Sequence, residues 1–338
     1  MRVLVTGGAG YVGGVSADAL VAAGHDVIVL DDLSTGHAAV PSPEARLVRG
    51  SYADQAATRA LLERERVDAI LHCAARSLVG ESMADPAKYY RENVVGGVAL
   101  LEAAREAGVR RIVFSSTAAT YGVPEATPIT EDAPLRPINP YGESKRTFEG
   151  ALRWYGAAYG FRSVILRYFN VAGATDRLGE VHRPETHLIP NVLLAAEGGP
   201  ALTLFGEDYP TPDGTPIRDY IHVADLADAH VAALVATDPA DARTGPVGGG
   251  VGAEPLIANL GTSSGFSVKQ VLQAAEAVVG APIPHTAGPR RPGDPPVLVA
   301  SNARAREVLG WAPRRSTLPE MIGSAWAWRR AHPDGYGD

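Results

Sequence analysis

The sequence predicts an α/β protein: a doubly wound, mostly parallel sheet with a smaller mixed α/β lobe toward the C-terminus. Three observations predict it. Short apolar runs alternate with helical patterns from Arg2 to Phe169, as parallel strands joined by crossover helices require. The glycines of Gly7-Gly8-Ala9-Gly10-Tyr11-Val12-Gly13 fall between the first strand and the first helix. After Asn170 the alternation loosens while proline and glycine rise, which puts a division near residue 172: 1–172 for the sheet domain, 173–338 for the lobe, with segments interleaved.

Taken in order, Arg2–Thr6 reads as a buried strand, Val15–Ala23 as a helix closed by Gly24, and Asp26–Leu30 as a strand ending in Asp31 and Asp32. Arg46–Arg49 is a third strand, and Asp54–Arg64 a helix capped by Asp54. Val67–Ala75 is a fourth strand, with Cys73, Ala74 and Ala75 at its C-terminal end, and Pro86–Ala107 is a helix closed by Gly108. Arg111–Thr117, a helix from Tyr141 to Tyr159 and the strand Ser163–Phe169 complete the first half. Beyond it, Ala201–Phe205 and Ile217–His222 read as strands, and Asp225–Val235 as a helix capped by Asp225. The stretch 239–255, rich in Gly, Pro and Ala, reads as a surface loop. Val268–Val279, Asn302–Leu309 and Leu318–Arg330 are amphipathic helices.

Composition narrows the partners. With 46% apolar and 20% charged residues, 338 residues can bury a sizeable core. A net charge of -7 and no basic run argue against nucleic acid. A single cysteine, Cys73, allows neither an internal disulfide nor a thiolate zinc site, which points to a reducing cytoplasm. Met1-Arg2-Val3-Leu4-Val5 lacks the layout of a signal peptide, and no apolar run is long enough to span a membrane. His182, His187 and His222 are scattered and lack an acid at helical spacing, so no metal is expected.

The first βαβ unit carries a nucleotide cradle. Gly7, Gly10 and Gly13 let the backbone approach a pyrophosphate, the helix start after Tyr11 and Val12 offers free N–H groups, and Asp31 and Asp32 suit ribose hydroxyls. Two acids there repel a 2′-phosphate, which selects NAD over NADP and makes the sheet Rossmann-type. Asp31, Cys73, Thr117 and Phe169 all fall at strand ends, on the rim where such sheets bind ligands.

Tyr141 and Lys145 stand four residues apart on one helix face. Asn139 can cap that helix and Pro140 suits its first position, so Tyr141 lies in the first turn. The helix dipole and the Lys145 charge are expected to lower the phenol from its usual pKa of about 10 toward a usable base. Strand alternation puts Ser115 and Thr117 on one face, Ser116 on the other. Thr117 is taken as the hydroxyl that shares a substrate oxygen with Tyr141. The guanidinium groups of Arg218 and Arg291 could meet phosphate oxygens in a bidentate fork, but on the residues alone a surface or interlobe ion pair is the better reading.

With these residues in view, the chain resembles the extended short-chain dehydrogenase/reductase superfamily and, within it, the UDP-glucose 4-epimerase family. The matching stretches run from Thr6–Gly13 through Val79–Ser82, Asn93, Tyr121-Gly122, Tyr141–Lys145 and Arg167–Asn170 to Pro184–Pro190, Phe205–Pro210 and Ile217–Val223. The resemblance implies a tightly held NAD and interconversion of UDP-glucose and UDP-galactose through a 4-keto intermediate. Tyr141 would be the base, Lys145 would bind the nicotinamide ribose, and Thr117 would replace the family's usual serine. It implies that Ser51, Tyr52, Cys73, Ala74, Ala75, Asn93, Ser115 and Tyr168 join the glycine loop, Asp31, Asp32, Tyr141 and Lys145 around the cofactor. It also implies that the UDP-sugar lies against Thr117, Tyr141, Phe169, Asn170, His187, Leu188, Leu204, Phe205, Arg218, Tyr220, Arg291 and Asp294, with Leu298 at the sugar gate. A homodimer built from helices Tyr89–Ala107 and Glu143–Tyr159 is implied as well.

Three positions depart from the family pattern. Ser51-Tyr52 stand where an acid and an apolar residue are usual, and Ser77, beside Arg76, where a lysine is often found. Leu298 stands where members carry either tyrosine or a small residue, which leaves acceptance of an N-acetyl group open. The alternatives are an epimerase of an N-acetylhexosamine, pentose or uronate, or a non-catalytic NAD sensor. A 4,6-dehydratase needs an acid pair after the strand-end hydroxyl, and Ala118-Ala119 stand there instead.

Overall fold

The structure is a computed structural model that describes residues 1–238, 240, 254–291 and 294–337. Strands β1 (Arg2–Thr6), β2 (Asp26–Asp31), β3 (Arg46–Arg49), β4 (Ala69–His72), β5 (Arg111–Thr117) and β6 (Arg162–Tyr168) share one sheet with the strand Leu256–Leu260. The order is Leu256–Leu260, β6, β5, β4, β1, β2, β3, and every pairing is parallel. The chain winds one way from β1 through β3, then the other way from β4, so a crevice opens beyond the carboxyl ends of β1 and β4.

Both faces are covered, which explains the near-continuous apolar runs. Helices Tyr11–Ala22 and Val223–Ala236 pack Ala17, Leu20, Leu226 and Ala233 on one face. Helices Gln55–Glu65, Gly97–Glu106 and Pro140–Tyr159 pack Leu61, Leu100, Phe148 and Leu152 on the other. A separate core in the C-terminal part is built from Ile189, Leu193, Val271, Leu272, Met321 and Ile322.

Local signals place several ends as expected. Asp54 accepts from Ala57 N at 3.0 Å to start the helix Gln55–Glu65. Ser267 and Gln270 form a reciprocal capping box at Val268–Val279, and Gly280 closes that helix in the left-handed region.

Elsewhere tertiary contacts move the boundaries. The first helix begins at Tyr11, four residues before the expected Val15. β4 stops at His72, so Cys73, Ala74 and Ala75 lie beyond it; Cys73 N and Ala74 N both donate to Thr6 O and turn the chain off the sheet. The expected helix 86–107 is three pieces: Pro86–Tyr89, a π-helical stretch Tyr90–Gly96 and Gly97–Glu106.

The expected strand 217–222 is broken at Asp219. Its fully buried carboxylate accepts from the backbone N–H groups of Thr262, Ser263 and Ala300. Ile217–Arg218 therefore joins Phe266–Ser267 and Val297–Leu298, while Tyr220–His222 pairs with Asn170–Ala172. The next helix starts at Val223 with His222 as its cap, not at Asp225. Asp225 instead accepts from Arg314 N, Arg315 N and the Ser316 hydroxyl. The strand Leu256–Leu260 and the helix Leu188–Ala196 carry no strong signal in the sequence and are found only in the structure. The loop expected over 239–255 lies almost wholly outside the described residues.

Candidate active site

The glycine loop sits at the crevice. Gly7 has φ +74°, and a Cβ there would fall 2.6 Å from Ala74 N; one at Gly13 would fall 2.1 Å from Gly7 O. Glycine alone fits both positions. A Cβ at Gly10 would meet only Gly7 O at 3.4 Å, so the approach over Gly10 is open. Gly10 is also the N-cap of helix Tyr11–Ala22, and no side chain caps it, so the first N–H groups stay available for an anion. Asp31 accepts from Ala9 N at 3.0 Å and Leu33 N at 2.9 Å, and burial raises its pKa. Asp32 accepts from Ser34 N. This cradle fits a dinucleotide. The Tyr11 hydroxyl, in contrast, is buried and donates to Gly173 O at 2.5 Å, so only the backbone of Tyr11 faces the loop's task, beside the half-buried Val12.

Around the cradle, Cys73 Sγ lies 3.2 Å from Ser115 Oγ, and burial pushes its thiol up to about 11. Asn93, on the π-helical stretch, brackets Arg76 through its N–H at 2.8 Å and its carbonyl at 2.9 Å, and reaches Ser144 Oγ at 3.0 Å. It thereby fixes the segment just after Ala74 and Ala75. Tyr52 donates to Glu92 O at 2.8 Å with its ring edge-on to His72, and Ser51 lies in the turn before it. Arg76 Nη2 donates to Ser34 Oγ, and its charge acts on Asp31.

Asn139 accepts from Gly142 N at 2.8 Å and starts helix Pro140–Tyr159 as its sequence requires. A Cβ at Gly142 would fall 2.5 Å from Ala119 O, so this glycine lets the first turn close on the end of β5. The Tyr141 phenol is 9% exposed, and the nearby Thr117 hydroxyl acts on it. Lys145, 3% exposed, donates from Nζ to Ser115 O at 2.8 Å and lies over the Phe114 ring. Burial lowers its amine to about 8.

Burial also raises the Tyr141 phenol, offset only by the neighbouring Thr117 hydroxyl. The expectation that the helix dipole and Lys145 depress it is therefore not met. The reason is geometric: the ammonium is committed to the Ser115 carbonyl, and the phenol sits in an apolar wall beside Tyr89.

Behind these residues is a polar network that the sequence did not reveal. Ser115 Oγ contacts His230 Nε2 at 2.7 Å, while His230 Nδ1 contacts Ser16 Oγ at 3.1 Å. On the opposite face Ser116 Oγ donates to Glu149, which pairs with Arg167 at 2.6 Å, and Arg167 reaches Tyr121 OH at 2.9 Å. Ser115 and Ser116 thus face opposite sides, as strand alternation requires.

The residues assigned to the sugar nucleotide divide. Phe169 follows β6, and Asn170 Nδ2 donates to Asp219 O at 2.9 Å. Phe205 carries the Arg291 guanidinium over its ring at 4.1 Å. Leu298 is register-paired with Arg218. Arg218 is ion-paired with Asp294 at 2.5 Å, so it is not a free cation. Leu204 and Tyr220 are buried in the core of the C-terminal part, which removes their side chains from any open surface. Leu188 opens the helix Leu188–Ala196 directly after His187.

His182 and His187, expected to be scattered, are brought together by the turn before that helix. Their rings are 5.3 Å apart, and both face Glu180 and Glu185. Burial would lower His187, but the two carboxylates raise it to about 10. His222 lies elsewhere, with its Nε2 on Ser324 Oγ at 3.1 Å.

The family model for "NAD dependent epimerase/dehydratase family" matches residues 3–244. The chain is 51% identical to a UDP-glucose 4-epimerase of Streptomyces lividans, over 100% of this chain and 98% of that protein. Among solved structures, the UDP-glucose 4-epimerase of Brucella ovis in complex with NAD superposes with a TM-score of 0.90 at 44% identity, covering 96% of this chain and 97% of the other. That of Bifidobacterium longum, in complex with NAD+ and UDP, gives 0.89 at 36% identity, covering 99% and 100%. The match in sequence and in fold runs along the whole length, and the chain belongs to the UDP-glucose 4-epimerases of the NAD dependent epimerase/dehydratase family.

Proposed function

We propose that this chain interconverts UDP-glucose and UDP-galactose by transient oxidation at C4 through a 4-keto sugar, with NAD as resident cofactor. The observation that carries the reading is the end of β5, where the Thr117 hydroxyl acts on the buried Tyr141 phenol and Lys145 Nζ holds Ser115 O at 2.8 Å. NAD, when bound, supplies hydride-transfer chemistry and, in its oxidised form, a positively charged ring. The open approach over Gly10, the uncapped helix start and Asp31 would hold it.

Tyr141 takes the proton from the C4 hydroxyl and returns it, and Thr117 orients the same oxygen. Lys145 supplies an ammonium beside the site, anchored by Ser115 O so that its position does not drift. Arg218 exchanges Asp294 for the diphosphate, and Arg291, held over Phe205, adds a second guanidinium. Phe169, Asn170, His187 and Leu188 complete the nucleotide wall through side chain or backbone, with Leu204 and Tyr220 backing it from the core. Cys73, Ala74, Ala75, Ser51, Tyr52, Asn93 and Tyr168 frame the cofactor side.

Two further parts of the reading have their own support. Val95, Trp154 and Tyr159 leave large apolar side chains 64%, 66% and 48% exposed on the helices assigned to a homodimer, the kind of surface a second copy covers. Among the described residues no helix is long and apolar enough to cross a membrane, and the half-buried Cys73, free of any disulfide, suits a reducing cytoplasm.

A second reading, an epimerase of an N-acetylated or other UDP-sugar, is favoured by Leu298, which is smaller than tyrosine beside Arg218. The test is direct. Protein as purified is assayed for bound NAD and offered UDP-hexoses, a UDP-pentose and UDP-N-acetylhexosamines without added cofactor. Fastest turnover of UDP-glucose and UDP-galactose supports the reading. Fastest turnover of another sugar favours the second, and turnover of none returns the chain to a sensor.

A further inference from the structure

Glu180, His182, Glu185 and His187, all from one eight-residue stretch, bring one donor atom each to within 4.8 Å of one another. His182 Nδ1 lies 3.1 Å from Glu180 Oε1 and 3.8 Å from Glu185 Oε2. His187 Nδ1 lies 2.9 Å from Glu180 Oε1 and 3.1 Å from Glu185 Oε1. Four ligands bound to zinc at about 2.0–2.2 Å stand about 3.3–3.6 Å apart at the corners of a tetrahedron; the histidine–carboxylate separations of 2.9–3.8 Å span that range. The carboxylates are not a solvated surface pair, since the side chains of Glu180 and Glu185 are only 8% and 10% exposed.

His187 Nδ1 hydrogen-bonds Glu185 Oε1 at 3.1 Å, but hydrogen bonding does not explain His182. His182 Nδ1 is closed to solvent and has no hydrogen-bond partner: it approaches Glu180 closely enough for ion pairing, but outside hydrogen-bond geometry. A proton on that nitrogen would leave a buried donor unmatched, and a lone pair there would face two carboxylates. A divalent cation resolves both difficulties. It takes the lone pairs of two neutral imidazoles and cancels two carboxylate charges. Glu185 Oε1 already accepts from Thr186 N at 2.7 Å and His187 N at 2.8 Å, which fixes the carboxylate as outer-shell bonds do in metal sites.

We infer that Glu180, His182, Glu185 and His187, in the turn before helix Leu188–Ala196, form a binding site for a zinc-like divalent transition metal. Both nitrogens would bind through Nδ1. His187 would then keep its Nε2–H as a donor, and the metal would pin the turn that leads into helix Leu188–Ala196. This inference stands independently of the sugar assigned above, because its test reads metal and not turnover.

Untagged full-length protein, stripped with chelator, is equilibrated with zinc chloride, passed over a sizing column and analysed for metal by mass spectrometry. About one zinc per chain is expected, and cobalt(II) should give the intense visible bands of a tetrahedral centre. His182→Gln and Glu185→Gln, checked for folding by circular dichroism, should weaken zinc binding by more than about a hundredfold, because loss of an outer-shell partner alone costs 10–100-fold. Wild-type protein without retained zinc, or variants that bind it as tightly, would overturn the site. Should a variant fail to fold, the wild-type cobalt spectrum decides: weak octahedral bands mean that the four residues are only an ion-paired cluster.

Discussion

Lys145 Nζ donates to the backbone carbonyl of Ser115 at 2.8 Å, which ties the second turn of one helix to the last residues of β5. Because Ser115 Oγ contacts His230 Nε2 and Cys73 Sγ, the amine is referenced to three separate elements at once. The site is therefore a property of the packed sheet end rather than of a five-residue motif.

Tyr141→Phe removes the proton-transfer group and little else, since the ring keeps its edge contact with Tyr89. Turnover should fall by about 10²–10⁴-fold while bound NAD is retained. Stopped turnover with unchanged NAD content is the expected pair of results; activity within tenfold of wild type would reassign the base.

Thr117 contributes one hydroxyl at the end of β5. Thr117→Ser keeps it and should retain activity within severalfold, whereas Thr117→Val keeps the shape and should lose about 10²-fold or more in kcat. Equal rates for the two variants would show that the hydroxyl is dispensable.

Burial lowers Lys145 from near 10.5 to about 8, so between those values the unfolded chain holds a proton that the folded chain has released. Stability attributable to Lys145 therefore rises with pH across that window, by at most about 1.4 kcal/mol per unit. Urea unfolding of wild type and Lys145→Met from pH 7.5 to 10 should show wild type gaining relative to the variant. A flat difference would mean that the amine titrates alike in both states.

Glu149 and Arg167 form a pair that is almost fully buried, with Ser116 and Tyr121 completing it. Glu149→Gln leaves the guanidinium without its counter-charge and should cost about 3–5 kcal/mol, read from the urea midpoint. A loss below about 1 kcal/mol would show that water reaches Arg167.

Leu298→Tyr adds bulk beside Arg218. The ratio of kcat/KM for N-acetylated over plain UDP-hexoses should fall by tenfold or more. An unchanged ratio would mean that Leu298 does not gate the sugar.

What the sequence by itself determined is whatever rests on near neighbours. Strand period, the glycine spacing after β1, the Asn139-Pro140 start and the Tyr141–Lys145 face all follow from residues within a turn or two of each other. Those features were legible, and so was the parallel sheet built from them. Long-range contacts decided the rest. Asp219 breaks a strand because backbone groups more than forty residues away need its carboxylate. Leu256–Leu260 becomes a strand because β6 offers it a parallel edge. The Tyr141 phenol is raised because folding buries it and turns the Lys145 ammonium to a carbonyl, an electrostatic outcome that depends on what solvent can reach.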